Sequence, residues 1–86
     1  MVNYKKIYIN VIARFDENGG IMPIIVDWQD GRRFYVDKVV KVINAPPRFV
    51  GGSLTRRYDV IISGAKKSLY FEYLENRWFV ESFANI

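Results

Sequence analysis

The sequence contains no cysteine and no histidine. Without cysteine, no disulfide can close so short a chain, and the usual reason to place a small domain in an oxidising compartment is absent, so we expect a cytoplasmic protein. Without either residue, the chain cannot build Ser-His-Asp or Cys-His catalysis or a zinc site of the usual ligands. These absences predict a protein that is not an enzyme and that carries no cofactor.

Long apolar runs are also missing. No stretch of 18 apolar residues occurs, which excludes a membrane-spanning helix. Soon after Lys5 and Lys6, apolar and polar residues alternate, so the N-terminal segment lacks the continuous apolar core of a signal peptide. No window has the 3.6-residue period of a helix longer than one or two turns. We therefore expect a soluble chain built from strands.

Aromatic and other apolar side chains, in contrast, are abundant. Of the 86 residues, 50% are hydrophobic and 16% are aromatic, enough to fill one small core. Alternation and turn signals predict strands over 4–16, 21–29, 32–37, 55–63, 68–74 and 77–81. The segment 39–43 is either an extension of the third strand or a short separate strand. Pro46 and Pro47 end it, and a loop follows over 48–52.

Six or seven short, mostly antiparallel strands predict an all-β single domain over residues 1–86. Curling into a small barrel or roll would hide the sheet edges and bury one face. An SH3-like barrel is one such form.

The register of the first hairpin depends on its turn. A two-residue loop at Asn18-Gly19 pairs Phe15 with Met22 and Val11 with Val26. The same register directs a set of side chains of the second predicted strand toward the core: Met22, Ile24, Val26 and Trp28.

The second hairpin conflicts with this register. A two-residue loop at Asp30-Gly31 would carry Arg33 into the core in place of Phe34, and an unpaired buried arginine is costly. One additional residue, in the first turn or as a bulge near Gly31, removes the conflict. Trp28 changes face according to which correction applies.

The last predicted hairpin has a two-residue connection at Glu75-Asn76, which pairs Tyr73 with Trp78. One face then carries Leu69, Phe71, Tyr73, Trp78 and Val80. The opposite face carries Tyr70, Glu72, Phe79 and Glu81.

The chain is moderately basic, with a net charge of +4, which permits binding to polyanions without requiring it. Its basic residues include four doublets: Lys5-Lys6, Arg32-Arg33, Arg56-Arg57 and Lys66-Lys67. The last three adjoin turns or strand ends, where both side chains of a pair could reach solvent. In mid-strand, adjacent side chains point to opposite faces of the sheet, so a doublet there cannot place both charges on one patch. Solubility and edge protection are therefore the plainer explanation of these charges.

A binding surface is the functional alternative, because small barrels often bind nucleic acid through a cationic groove lined with stacking aromatics. The aromatic residues expected outside the core are Tyr8, Tyr35, Tyr70 and Phe79. Packing over a curved sheet, or a homodimer contact, is the plainer explanation of these rings. The candidate surface consists of Trp28, Arg32, Arg33, Tyr35, Arg56, Arg57, Lys66 and Lys67.

The nine carboxylates do not follow the spacing of a calcium loop. Several lie at turns, where aspartate is favoured by its own backbone hydrogen bond. Catalysis would need two of them in one cleft, and Asp27 and Asp37 are the best pair. We predict no catalytic residue and no metal ligand, with this pair as the least favoured alternative.

The run PIIVDWQDGRRFYVDKV over 23–39 resembles a pattern found in a group of small bacterial proteins without an established activity. Later blocks, over 57–62 and 69–81, resemble the same group. The resemblance implies an intact small domain and transfers no catalytic residue.

Together, these observations predict a non-enzymatic binding or adaptor module on a small β-barrel. The alternative is a nucleic-acid-binding barrel. The partner is a protein or a nucleic acid and not a membrane, and a homodimer is compatible with the pattern.

Overall fold

The computed structural model of the protein describes residues 2–45 and 54–85. Over these ranges the chain forms seven strands and no helix. They are β1 (Val2–Phe15), β2 (Ile21–Asp27), β3 (Arg33–Tyr35), β4 (Lys38–Ala45), β5 (Thr55–Ile62), β6 (Ala65–Glu72) and β7 (Arg77–Asn85). The segment 39–43 thus belongs to a separate strand, and the loop predicted over 48–52 lies outside the described residues.

All neighbouring strands in the described sheet are antiparallel, in the order β3-β2-β1-β7-β6-β5-β4. The long strand β1 pairs with β7 through its first part and with β2 through its second part. The result is a curled half-barrel, so the predicted all-β barrel or roll is confirmed.

The two ends of this sheet meet at the connection between β3 and β4. The Val36 N–H donates to the Ile24 carbonyl of β2, and the next N–H, from Asp37, donates to the Ile61 carbonyl of β5, both at 2.9 Å. Within two residues the chain therefore passes from one end of the sheet to the other. Beyond this point, within 2–45 and 54–85, β3 pairs only with β2, and β4 pairs only with β5.

The core lies on the concave face, and its buried side chains come from five of the seven strands. Its buried members are Ile9, Val26, Tyr58, Val60, Leu69, Phe71 and Trp78. The Trp78 ring lies 4.7 Å from the Phe71 ring and 5.1 Å from the Tyr58 ring, centroid to centroid. Tyr58 is almost fully buried, and its hydroxyl donates to the Ile21 carbonyl at 2.7 Å. This bond links β5 to the start of β2 across the core.

The first turn is longer than two residues. Asp16 N–H donates to the Gly20 carbonyl at 2.9 Å, which closes a three-residue loop over 17–19. The Asp16 carboxylate stabilises this loop by accepting the backbone N–H groups of Asn18 and Gly20 at 2.9 and 2.7 Å. Phe15 therefore pairs with Ile21, and the predicted pair with Met22 is wrong. Phe15 is 69% exposed.

A bulge in β2 restores the predicted register further along the hairpin. β2 contains one residue without a partner on β1, Ile24, and its carbonyl accepts the Val36 N–H. Val11 then pairs with Val26, as predicted. Because of the bulge, Ile24 and the preceding Met22 are exposed, so their predicted core positions are wrong.

The second turn contains the additional residue that the sequence requires. Trp28 N–H donates to the Arg32 carbonyl at 2.8 Å, which closes a three-residue loop, and Gly31 has a φ of 90° that favours glycine. Val26 consequently pairs with Phe34. Trp28 stays on the core face and packs against the core cluster.

The last hairpin differs from its predicted register by two residues. The connection spans 73–76, with a positive φ of 57° at Asn76, and Trp78 pairs with Phe71 instead of Tyr73. Because side chains alternate with a period of two, the predicted faces are nevertheless correct.

We expect the Tyr58 hydroxyl to stabilise closure of the half-barrel. Tyr58→Phe should lower the free energy of unfolding by about 1–2 kcal/mol, because the partly buried Ile21 carbonyl loses its donor. The measurement is urea denaturation. Tyr73→Phe is the control, since that ring packs against the same core and its hydroxyl bonds to no described residue. Equal losses in both variants would contradict the role of the bond.

Candidate functional site

A cavity of about 770 Å³ opens between the β2–β3 hairpin and the β5–β6 hairpin. We call it the hairpin cavity. It lies beside β3, where the backbone hydrogen bonds of Val36 and Asp37 join the two ends of the sheet. It also extends toward β7, because β6 pairs with β7 only from Tyr70 to Glu72. The cavity therefore occupies the part of the half-barrel in which neighbouring strands separate.

The lining of the hairpin cavity is mostly apolar. Its apolar residues include Val26, Trp28, Phe34, Ile62, Leu69 and Val80. Most of them belong to the core cluster or pack against it, so the cavity is an opening into the core. Its volume lies within the range of about 300–1,000 Å³ that is typical of small-molecule sites.

Two cationic side chains line the cavity on the concave face of the half-barrel. Arg32 lies at the end of the second turn, where its guanidinium carbon is 5.4 Å from the centroid of Phe34. Its Nε–H donates to Asp30 Oδ2 at 2.5 Å. The Arg32 backbone N–H, followed by its side chain, holds the pKa of Asp30 below its usual value.

Lys67 is the second cation. It pairs with Val60 across β5 and β6, and strand alternation places it on the same face as Leu69. It lines the cavity and has no carboxylate partner among the described side chains. Glu81 also lines the cavity. Its side chain, however, lies on the opposite face of β7, where Lys6 is its register partner on β1.

The structure thus brings three of the predicted surface residues together at the cavity: Trp28, Arg32 and Lys67. Their cavity neighbours were missed as site residues because apolar alternation predicted them only as core. No signal in the sequence separates a core residue from one that lines an opening into the core.

Arg33, the neighbour of Arg32 in the second doublet, lies outside the cavity. Arg33 donates to both carboxylate oxygens of Asp27, from Nε at 2.7 Å and from Nη2 at 3.1 Å. This bidentate bond holds the pKa of Asp27 below its usual value. Tyr35 is 61% exposed on the edge strand β3, and neither it nor Arg33 lines the cavity.

The remaining doublets are also divided between faces. The guanidinium carbon of Arg56 lies 5.4 Å from the centroid of Tyr73. Arg57 lies on the other face, where its Nη2 donates to Asp59 at 3.3 Å and its Nε is 3.0 Å from the same carboxylate. Lys66 is exposed on that second face, away from Lys67. The predicted residues therefore do not form one continuous basic patch.

The two carboxylates of the enzyme alternative have separate partners. Asp27 is bonded to Arg33, and Asp37 accepts the Ser63 N–H at 3.0 Å. Neither carboxylate lines the hairpin cavity. Within residues 5–45 and 54–82, no three metal-ligating side chains are grouped.

A second buried layer covers the convex face of β6 and β7. Tyr70 and Phe79, predicted to lie outside the core, are only 9% and 3% exposed. Their rings stack with centroids 5.0 Å apart and planes within 8°, and Tyr8 meets Phe79 edge-on at 5.8 Å. Both faces of β6 and β7 are therefore packed in the segment around Tyr70 and Phe79.

A buried carboxylate completes this layer. The Glu72 side chain is fully buried, with Lys6 Nζ 2.9 Å from Oε2 and Arg77 Nε 2.6 Å from Oε1. Burial, followed by a hydrogen bond to Glu72, raises the pKa of Tyr8. The sequence contains no signal for this triad, because its members are brought together only by the pairing of β1, β7 and β6.

Comparison with protein-family models, curated proteins and solved structures found no significant match. The described part of the chain has no helix that could cross a membrane. The functional argument therefore depends on the geometry of the hairpin cavity.

The triad predicts a difference between two adjacent lysines. Lys6→Met should lower the free energy of unfolding by about 2 kcal/mol, because the buried Glu72 carboxylate loses one of its two cations. Lys5→Met should change it by less than about 0.5 kcal/mol, because Lys5 is exposed. Denaturant unfolding of both variants is the measurement. A Lys6→Met variant as stable as Lys5→Met would show that the triad adds no stability.

Proposed function

We propose that the protein is a non-enzymatic binding module whose ligand occupies the hairpin cavity. The observation that carries this proposal is an opening of about 770 Å³ into the core, lined by aromatic and aliphatic side chains. An apolar concave site with a few polar groups is the usual form of a ligand site.

The packing of a small domain supports this proposal. Protein interiors are close-packed, and a chain of this length has little apolar surface to spare. Trp28 and Phe34 on one hairpin and Leu69 on the other line the open cavity between them. Apolar surface left open costs about 25 cal/mol per Å² relative to its burial, and a bound ligand would recover that free energy.

Nucleic-acid binding is the second candidate. Trp28 offers a ring for stacking beside two cations, Arg32 and Lys67. Affinity for nucleic acid, however, grows with the number of phosphates that cations neutralise. Arg32, Arg33 and Arg57 already pair with carboxylates, so this candidate has less support.

The cellular setting belongs to the same proposal. Absence of cysteine supports a reducing cytoplasm. A bacterial origin, an SH3-like topology and a homodimer stay predictions from the sequence.

Filling the hairpin cavity tests the proposal. Ala65 lines the cavity, so Ala65→Trp should place a large ring inside it and weaken binding of the neutral dye Nile red at least tenfold. Lys66→Trp is the matched control, because the next residue along the strand projects from the opposite face. The measurement is a fluorescence titration of the dye. No dye binding by the unmodified protein, or equal loss in both variants, would refute the proposal.

A salt titration tests the second candidate. We expect binding to single-stranded and duplex oligonucleotides to be undetectable at physiological salt, because few cations are available to phosphates. Micromolar affinity that falls steeply as salt rises, and that is lost in Arg32→Gln, would favour nucleic-acid binding over the cavity ligand.

A further inference from the structure

We infer that the hairpin cavity binds an amphiphile with an anionic head, whose apolar body packs against Trp28 and Leu69 and whose carboxylate or phosphate group contacts Lys67 and Arg32. This inference rests on the proposed function, because it assigns a ligand chemistry to the same cavity. It combines three observations: the apolar lining, the sign of the inward charges and their position.

The inward charges of the cavity are of one sign. Among the described lining residues, the ionisable side chains on the concave face are Arg32 and Lys67. The only lining carboxylate in the described ranges, Glu81, lies on the opposite face of β7, across from Lys6. An anionic group entering from the open side therefore meets two cations first.

Both cations have donor groups available for a ligand. Asp30 accepts the Arg32 Nε–H, and the terminal N–H groups of Arg32 bond to no described residue. Lys67 likewise has no described carboxylate partner. A carboxylate or phosphate would accept charge-assisted hydrogen bonds from these groups, which are stronger than hydrogen bonds between neutral groups.

The position of the charges matches an amphiphile. Lys67 and Arg32 are exposed, whereas Leu69 and Val26 are buried behind them. A ligand with its charge at one end could keep the head in contact with water and bury its chain. Edge protection explains a lysine on a strand that separates from its neighbour, but it does not explain the apolar cavity behind that lysine.

Calorimetric titration of the full chain with three amphiphiles of equal length tests the inference. The probes are decanoate, decanol and decylammonium, which share a chain and differ in head charge. We expect decanoate to bind about tenfold more tightly than decanol, and decylammonium to bind more weakly than either. Added salt should weaken decanoate binding and leave decanol binding unchanged.

Two adjacent lysines supply the matched variants. Lys67→Gln should weaken decanoate binding about fivefold to tenfold without changing decanol binding. Lys66→Gln removes the same charge one residue away, on the opposite face, and should bind decanoate as the unmodified protein does. Both variants keep a surface side chain of similar size, so both should fold.

The outcomes separate the two proposals. If no amphiphile and no Nile red binds, the cavity is not a ligand site and both proposals fail. If Nile red binds and Ala65→Trp blocks it, but decanoate and decanol bind equally in all variants, the cavity ligand is neutral and only the inference is overturned. Binding to vesicles with anionic lipid, in the absence of any decanoate binding, would also overturn it in favour of a membrane surface.

Discussion

The half-barrel depends on two consecutive backbone hydrogen bonds at Val36 and Asp37. Neighbouring N–H groups of an extended chain point in opposite directions, so one residue can bond to β2 and the next to β5. This arrangement joins the ends of a seven-stranded sheet without a continuous strand pair. The closure is local, however, and strands that meet at one point separate on either side of it. The hairpin cavity lies on one of these sides, which makes the opening a consequence of the way in which the sheet is joined.

An opening into the core leaves apolar surface unburied, and a domain without disulfides must regain that lost stability elsewhere. The convex face of β6 and β7 supplies additional burial. Tyr70 stacks on Phe79, and the fully buried Glu72 is held between Lys6 and Arg77. Around Tyr70 and Phe79 these strands are buried on both faces, whereas the outer face of a small barrel is commonly solvated. The burial of this second layer adds apolar contact that a single concave core of this size would not supply.

The part of the fold that could be predicted from the sequence is set by the alternation of side chains along a strand, which has a period of two residues. Alternation and turn signals predicted six of the seven strands, and they left open whether 39–43 was a separate strand. Alternation also predicted the faces of β5, β6 and β7 correctly, because an error of two residues in the pairing of Trp78 does not change a face. An error of one residue reverses a face, so the first two hairpins could not be settled by alternation alone. Their turns are longer than the Asn-Gly and Asp-Gly pairs suggest because Asp16 binds two N–H groups of its own loop, and because Gly31 adopts a positive φ.

The candidate site was predicted less completely, for a related reason. Adjacent basic residues in a sequence point to opposite faces of a strand, and register decides which of them meets a carboxylate. Arg33 meets Asp27 across β2 and β3, whereas Arg32 turns toward Phe34 and the cavity. The sequence could therefore identify Arg32 and Lys67 as candidates, but it could not separate them from their neighbours.

The second turn connects register with the chemistry of the cavity. Its three-residue loop places Trp28, Arg32 and Phe34 on one face, beside the cavity. A two-residue loop would instead pair Trp28 with Arg33 and leave Asp27 without its bidentate partner. Gly31 permits the longer loop, because its φ of 90° is one that side-chain-bearing residues rarely adopt. A single backbone conformation at the tip of the hairpin thus decides whether the aromatic lining and its cation reach the same cavity.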